Sequence, residues 1–160
     1  MIKLIRNDDR LIHGQCVTQI VKVHAIEHII VIDDFTATNP FLKRIFEKAV
    51  PSHITAEALT TDQAVEAVRA AAGNTISTLV LMKTPLVMQR LLQEIDPLPK
   101  DLNIASIAAG QNRIAVTKYA YLTPQEIAAV KQMGEDGVHI WFQLIPTSPC
   151  TEWDSIKMNY

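Results

Sequence analysis

The 160 residues of this chain suffice for one globular domain with a sizeable core, and a composition that is 48% hydrophobic and 20% charged is typical of soluble proteins. Its 15 basic and 17 acidic residues are scattered and leave a net charge of -2, which argues against nucleic-acid binding. The N-terminus lacks the apolar stretch of a signal peptide, and no segment reaches the roughly 20 apolar residues of a membrane span. The two cysteines suggest no disulfide framework. We therefore expect a cytosolic protein.

Strand-like and helix-like segments alternate along the chain. Short runs of β-branched and apolar residues predict strands, and apolar residues that recur every three or four positions behind a capping residue predict helices. The predicted strands are residues 2–5, 29–32, 53–59, 78–82, 103–108, 113–116 and 138–145. The predicted helices run from about Gly14, from Asn39 to Pro51, from Thr60 to Gly73, from Thr84 to Ile95 and from Thr123 to about Gly134. The tail after Pro146 is expected to be irregular.

This alternation predicts a single α/β domain over residues 1–160, a three-layer sandwich whose mainly parallel central sheet is flanked by helices. No internal repeat or linker divides the chain. Ligands of such sheets bind beyond the carboxyl ends of the strands. The loops expected to carry a site are therefore Arg6–Gln15, Asp33–Asn39, Lys83–Pro85 and Ala108–Asn112.

The first of these loops has the residues that a phosphate-carrying histidine needs. His13 stands directly before the first predicted helix, and imidazole is a good nucleophile near neutral pH. A phosphate on the ring would need hydrogen-bond donors, which Arg6, Arg10 and the N–H groups after His13 can supply. Gly14 has no Cβ and lets an incoming group approach the backbone closely.

Two aspartates complete this loop. Either Asp8 or Asp9 is expected to orient the ring of His13 or to hold Arg10 in place. On the residues alone, an ordinary helix-capping loop with internal ion pairs is the competing interpretation.

Residues 6–15 read Arg-x-Asp-Asp-Arg-Leu-Ile-His-Gly-Gln. This motif resembles the signature of the IIB components in the mannose–fructose–sorbose family of the bacterial sugar phosphotransferase system. The resemblance implies that His13 accepts phosphate, on Nδ1, from the phosphohistidine of a IIA component. It also implies that His13 passes the phosphate to a sugar entering through the IIC/IID membrane permease and that no cofactor takes part. The protein is then expected to be cytoplasmic and peripherally associated with the permease.

The resemblance extends along most of the chain. In the motif it matches Arg6 to the leading arginine and places Asp8, Arg10, Gly14 and Gln15 around the phosphorylated histidine. The segments Val31–Asp34, Asn39–Lys43, Lys83–Pro85 and Val138–Thr147 also agree with the family in order and spacing. Asp34, Lys83 and Thr84 are accordingly expected to line the same edge of the sheet as His13.

Three positions depart from the family pattern. Asn7 stands where an aliphatic residue is usual, Cys16 where valine is usual, and Ala105 where glycine is common. Ala105 is expected to narrow the approach of a backbone beside the site. Cys16 is interpreted as a small packed residue and not as a reactive thiol.

Other functions and sites were weighed on the same residues. A regulatory module that binds a phosphate-bearing ligand without modification of His13 is the main alternative, and a nucleotide-binding enzyme is disfavoured because no glycine-rich phosphate loop is present. His24 and His28 fail the His-Glu-x-x-His pattern, so no metal site is predicted. Either Asp33 or Asp34 is expected to cap the loop, to line the site near His13 and to pair with an arginine. Magnesium binding is the alternative interpretation of this acidic pair.

The sequence leaves the sugar and the formation of a homo-oligomer open. Mannose, fructose, sorbose and amino sugars such as N-acetylgalactosamine all fit the resemblance. Trp153 and Tyr160 are expected to be exposed in the tail and to contribute to an oligomer or partner contact. Because both phosphoryl donor and acceptor would be large, the site is expected to be an open loop at the sheet edge.

Overall fold

Nine strands run through the computed structural model, which describes residues 1–160. The strands are β1 (Ile2–Asp8), β2 (His28–Ile32), β3 (Thr55–Leu59), β4 (Thr78–Met82), β5 (Asp101–Ser106), β6 (Ile114–Ala115), β7 (Tyr121–Leu122), β8 (His139–Phe142) and β9 (Thr151–Glu152). Seven of them form one sheet in the order β3-β2-β4-β1-β5-β8-β9, and β6 and β7 form a separate antiparallel pair.

All neighbours in the large sheet are parallel except β8 and β9, which are antiparallel. The inner strand β4 is buried at every position, as expected for a parallel strand covered by helices on both faces. The prediction of an α/β sandwich with a mainly parallel sheet is therefore confirmed.

Helices connect the strands. A wide helical turn over Cys16–Ile20 continues into α1 (Val21–Val23), and the later helices are α2 (Asp34–Thr38), α3 (Pro40–Lys48), α4 (Thr61–Gly73), α5 (Pro85–Glu94), α6 (Pro124–Glu135) and α7 (Trp153–Ile156). The two predicted capping boxes, led by Thr60 and Thr123, both form. None of the helices is both long and apolar enough to cross a bilayer.

Side chains alternate along β1 between two hydrophobic clusters. Ile5 belongs to a cluster of 25 buried residues that includes side chains of α4, α5 and α6. Leu4 belongs to a cluster of 13 on the other face, together with Leu11 and Cys16. Because successive strand residues point to opposite faces, the next even-numbered side chains of β1 share the face of the first helix.

The structure corrects two expectations from the sequence. Residues Arg6–Asp8 continue β1 and are buried, although they were assigned to a polar loop. The tail is not irregular, because β9 pairs with β8 and carries Trp153 into the core, where it is 2% exposed and packs against Phe142 and Tyr160. The prediction that Trp153 is exposed is therefore wrong. The strand β9 that leads into it is only two residues long, so the tail has no strand pattern in its sequence.

Candidate functional site

The turn after β1 brings His13 back over the end of its own strand. The backbone N–H of Leu11 donates to the carbonyl of Asp8 at 2.9 Å, and Asp9 ties the turn to the end of β5 through Ser106 and Ala108. Leu11 has a φ of 55°, a region that branched residues rarely adopt, and its side chain is completely buried. Burial of Leu11 thus holds the turn in a conformation that costs roughly 1–3 kcal/mol.

Asp8 is the centre of the site and is completely buried. Its Oδ2 lies 3.1 Å from His13 Nε2, 3.0 Å from Arg6 Nη2 and 3.1 Å from Arg10 Nη2. Its Oδ1 accepts from the backbone N–H and from Nε of Arg10, at 3.2 and 3.0 Å. Of the two aspartates that the sequence offered, Asp8 therefore both orients the histidine and holds Arg10.

The charge of Asp8 determines which nitrogen of His13 carries the proton. Burial by itself raises the pKa of Asp8, but hydrogen bonds from His13 and Arg10 and the charge of Arg6 outweigh it and hold that pKa well below the usual range. An ionised carboxylate only accepts hydrogen bonds, so His13 Nε2 must be the protonated nitrogen. In the neutral ring the lone pair is then on Nδ1, which makes no hydrogen bond within the protein.

Arg6 lies beneath Asp8 with a side chain that is 2% exposed. Its Nη1 donates to Asn103 Oδ1 at 2.5 Å and to the carbonyl of Gln143 at 3.4 Å. Its Nη2 donates to Asp8 and, at 2.7 Å, to the carbonyl of Leu144. Burial lowers the pKa of Arg6, and the neighbouring Asp8 opposes that shift. The sequence suggested that Arg6 donates to a phosphate. Because both Nη groups already have partners inside the protein, Arg6 instead supports Asp8 and is not placed to bind a phosphate.

Arg10, Gly14 and Gln15 form the exposed rim of the site. The side chain of Arg10 is 39% exposed, and its Nη1 donates to Gln15 Oε1 at 3.3 Å. Gly14 begins a helical run over residues 14–23, so its N–H groups lie at a helix N-terminus. The side chain of His13 is 18% exposed beside them. A guanidinium, a carboxamide and a helix start are thus available to an anion at the surface.

The second loop at this edge forms a cluster of its own. Asp33 accepts hydrogen bonds from Thr36 and pairs with Lys83 Nζ at 3.0 Å, so its partner is a lysine and not an arginine. Burial tends to raise the pKa of Asp33, but the bonds from Thr36 and Lys83 lower it overall. Lys83 follows β4, whose Met82 is paired with Asn7, and therefore stands one strand away from Asp8.

Three predicted site residues have partners away from His13. Asp34 Oδ1 accepts from the backbone N–H of Thr61 at 2.6 Å, and Thr84 Oγ1 donates to Glu126 Oε1 at 2.8 Å. Asp9 likewise accepts from Ala108 and makes no contact with the ring. The structure does not bring these three side chains into the hydrogen-bond network of Asp8.

Cys16 and Ala105 are both packed beside the site. Cys16 is 1% exposed, and burial raises the pKa of its thiol to about 11, so it is a packed, unreactive thiol as predicted. Ala105 is 2% exposed and lies on β5, next to the strand that carries Asp8.

Sequence reasoning missed the residues that hold Arg6. Asn103 and the carbonyls of Gln143 and Leu144 are at least 97 positions away from it in the chain. The only local signal was a polar Asn103 between apolar neighbours in a predicted buried strand.

Comparison with known proteins defines the class to which this fold and site belong. The model of the family "PTS system sorbose subfamily IIB component" matches residues 2–160, which makes the chain a IIB-type component of a sugar phosphotransferase system. The chain belongs to the sorbose subfamily of these components.

Individual relatives agree with this assignment. The chain is 28% identical to the fructose-specific EIIB component of Bacillus subtilis over 99% of this chain and 96% of the relative. It is 24% identical to the mannose-specific EIIAB component of Escherichia coli over 93% of this chain but only 46% of that protein, so it spans about half its length. The crystal structure of the IIB domain of the sorbose permease from Klebsiella pneumoniae superposes with a TM-score of 0.89, at 25% identity over 99% of this chain and 96% of that one.

Proposed function

We propose that this chain is a phosphocarrier that accepts a phosphoryl group on His13 Nδ1 and transfers it to a sugar during uptake. The observation that carries the proposal is the contact between His13 Nε2 and the ionised Asp8, because it leaves the Nδ1 lone pair as the nucleophile. Arg10, which shares Asp8 with His13, and the helix start after His13 supply positive charge to this loop.

Each transfer exchanges one bond to phosphorus for another. In the first step the Nδ1 lone pair bonds to the phosphorus of a donor phosphohistidine, whose N–P bond breaks and returns its electron pair to the donor ring. In the second step a sugar hydroxyl oxygen bonds to phosphorus, the N–P bond at His13 breaks, and the hydroxyl proton is released to solvent. Such transfers require positioning and charge stabilisation more than covalent machinery, which suits a site made of one histidine and its ion pairs.

The proposed donor is the phosphohistidine of a IIA component, and the proposed acceptor is a sugar held by a IIC/IID membrane permease. The EIIAB name and double length of the Escherichia coli relative support a IIA partner. We place the protein on the cytoplasmic side of the membrane, where the phosphorylated donor would be found. The names of relatives include fructose and mannose, and the site of this chain does not discriminate between them.

The proposal is tested by phosphorylation with phosphoenolpyruvate, the general phosphotransferase proteins and a mannose-class IIA component. Wild type is expected to take up label that is labile in acid and stable in alkali, and His13→Gln is expected to take up none. The exposed His53 provides the matched control, so His53→Gln should be labelled like wild type. Unlabelled wild-type protein beside an active IIA component would favour a regulatory module that binds phosphate-bearing ligands without modification.

Gly14 provides a second test, directed at the path of the incoming group. A Cβ at Gly14 would meet no atom within 4 Å, so Gly14→Ala should fold normally. The added methyl group would occupy the surface beside His13, and we expect phosphoryl acceptance to slow by about tenfold because the donor is misplaced. The rate would be measured in rapid-quench experiments with labelled IIA component.

Gly73→Ala is the matched control, because its Cβ also meets no atom within 4 Å and it lies at the end of α4. Its rate should equal that of wild type. Equal rates for Gly14→Ala and Gly73→Ala would contradict an approach of the donor over Gly14.

A further inference from the structure

A single side chain outside the motif reaches the phosphorylation site through two intermediaries. Asn103 lies in β5 directly opposite Arg6 of β1, on the same face of the sheet. It is completely buried, and its Oδ1 accepts from Arg6 Nη1 at 2.5 Å. Apart from Asp8, it is the only side chain that accepts a hydrogen bond from Arg6.

The amide of Asn103 is itself oriented by the next strand. Its Nδ2 lies 3.5 Å from the carbonyl of Trp141, in β8, and 3.3 Å from that of Gln143, directly after this strand. With Nδ2 turned to these carbonyls, Oδ1 must face Arg6, because an amide has its donors and its acceptor on different atoms. The neighbouring strand therefore determines which side of Asn103 meets the guanidinium.

We propose that Asn103 is a positioning residue for phosphoryl transfer at His13, acting through Arg6 and Asp8. This inference rests on the proposed function. Asn103 fixes the guanidinium of Arg6, Arg6 fixes Oδ2 of Asp8, and the same oxygen receives the proton of His13 Nε2. Without Asn103, Arg6 Nη1 keeps only its 3.4 Å contact with Gln143, and the shared oxygen of Asp8 loses its fixed position.

The test compares a substitution that removes the hydrogen-bond acceptor for Arg6 with one that keeps it. Asn103→Ser has a side chain too short to reach Arg6, and we expect phosphoryl acceptance from the IIA component to slow by about 10- to 100-fold. Asn103→Asp keeps an oxygen opposite Arg6 but loses the donor to the carbonyls of Trp141 and Gln143. We expect it to lose less activity than Asn103→Ser and to stay within about fivefold of wild type, because the contact with Arg6 is the one that reaches Asp8.

A second readout separates positioning from general damage. The ¹⁵N chemical shifts of the His13 ring report which nitrogen carries the proton, and Asn103→Ser should show a mixture of the two tautomers where wild type shows protonated Nε2. Asn7→Ala is the matched control. Asn7, in β1, is as completely buried as Asn103, but its amide faces the other layer and makes its one hydrogen bond to the carbonyl of Met82. It should change neither the ring shifts nor the rate by more than about twofold.

The outcomes are distinct from those of the proposed function. Wild-type protein that takes up no label refutes the carrier function. Labelled wild type together with a folded Asn103→Ser of unchanged rate and unchanged ring shifts refutes the role of Asn103 alone. Should Asn103→Ser fail to fold, Asn103→Asp decides: a folded variant within about fivefold of wild type supports the role, and a slower one overturns it.

Discussion

Replacement of Asp8 by asparagine is expected to slow phosphoryl acceptance by about 10³- to 10⁴-fold, the loss seen when the carboxylate behind another catalytic histidine becomes an amide. An asparagine can offer its N–H₂ group to His13 Nε2 and favour the wrong tautomer, with the proton on Nδ1. It also removes the charge that holds Arg10 beside the ring. Single-turnover transfer from labelled IIA component measures the effect.

The adjacent aspartate is the matched control for this substitution. Asp9 accepts from the backbone N–H of Ala108 and makes no hydrogen bond to His13, and Asp9→Asn keeps an oxygen for the bond to Ala108. Its rate should stay within about tenfold of wild type. Equal losses in Asp8→Asn and Asp9→Asn would mean that the loop as a whole, and not the contact with His13, limits the rate.

The loss of stability in Asp8→Asn is expected to depend on pH. The pKa of Asp8 is lower in the folded protein than in the unfolded chain. The stability that its ionised form contributes is therefore fully present above the unfolded pKa of about 3.9 and is lost as pH falls towards the folded pKa. The difference in unfolding free energy between wild type and Asp8→Asn should therefore be largest near neutral pH and shrink below about pH 4. Urea unfolding at several pH values measures it, and a difference that grows on acidification would contradict this assignment.

Replacement of Arg6 by methionine is expected to lower the free energy of unfolding by about 3–5 kcal/mol, since it breaks a buried ion pair and leaves the remaining charge less compensated. Asn103 Oδ1 and the carbonyl of Leu144 lose their hydrogen bonds to the guanidinium at the same time. Methionine has a similar length and fills most of the space, so lost packing contributes little.

The control for Arg6→Met is an arginine with partners on the surface. Arg90 pairs with Asp62 and Glu94 in α4 and α5, and exposed pairs of this kind contribute little to stability. Arg90→Met should therefore leave the midpoint of chemical denaturation nearly unchanged. A comparable decrease in the free energy of unfolding in both variants would show that the buried Arg6–Asp8 pair contributes no more to stability than an exposed ion pair.

The sequence was most informative where the signal is local. The caps at Thr60 and Thr123 and the apolar strand Thr78–Met82 are encoded within a few residues, and each forms where predicted. The motif around His13 is also continuous in sequence, which is why Asp8 and Arg10 could be named as neighbours of the ring.

Features that depend on distant segments escaped prediction. Arg6 was assigned to phosphate because arginine near a histidine suits an anion, but its partners arrive from β5 and from the end of β8. The burial of Trp153 also depends on strand pairing, between β8 and β9, which are close in the chain, but β9 is too short to give a strand pattern. Neither pairing is visible in a local pattern, since both are decided by which strands become neighbours in the sheet.

The alternation of side chains along β1 has a consequence for how this protein can vary. Odd-numbered side chains such as Ile5 contribute to the large core, whereas Arg6 and Asp8 serve the histidine on the other face. A change at Ile5 therefore acts through the core, whereas a change at Arg6 or Asp8 affects both the buried ion pair and the chemistry at His13, although these positions are interleaved in one short segment. Homologues can adjust the core beneath this strand while the geometry at His13 stays the same.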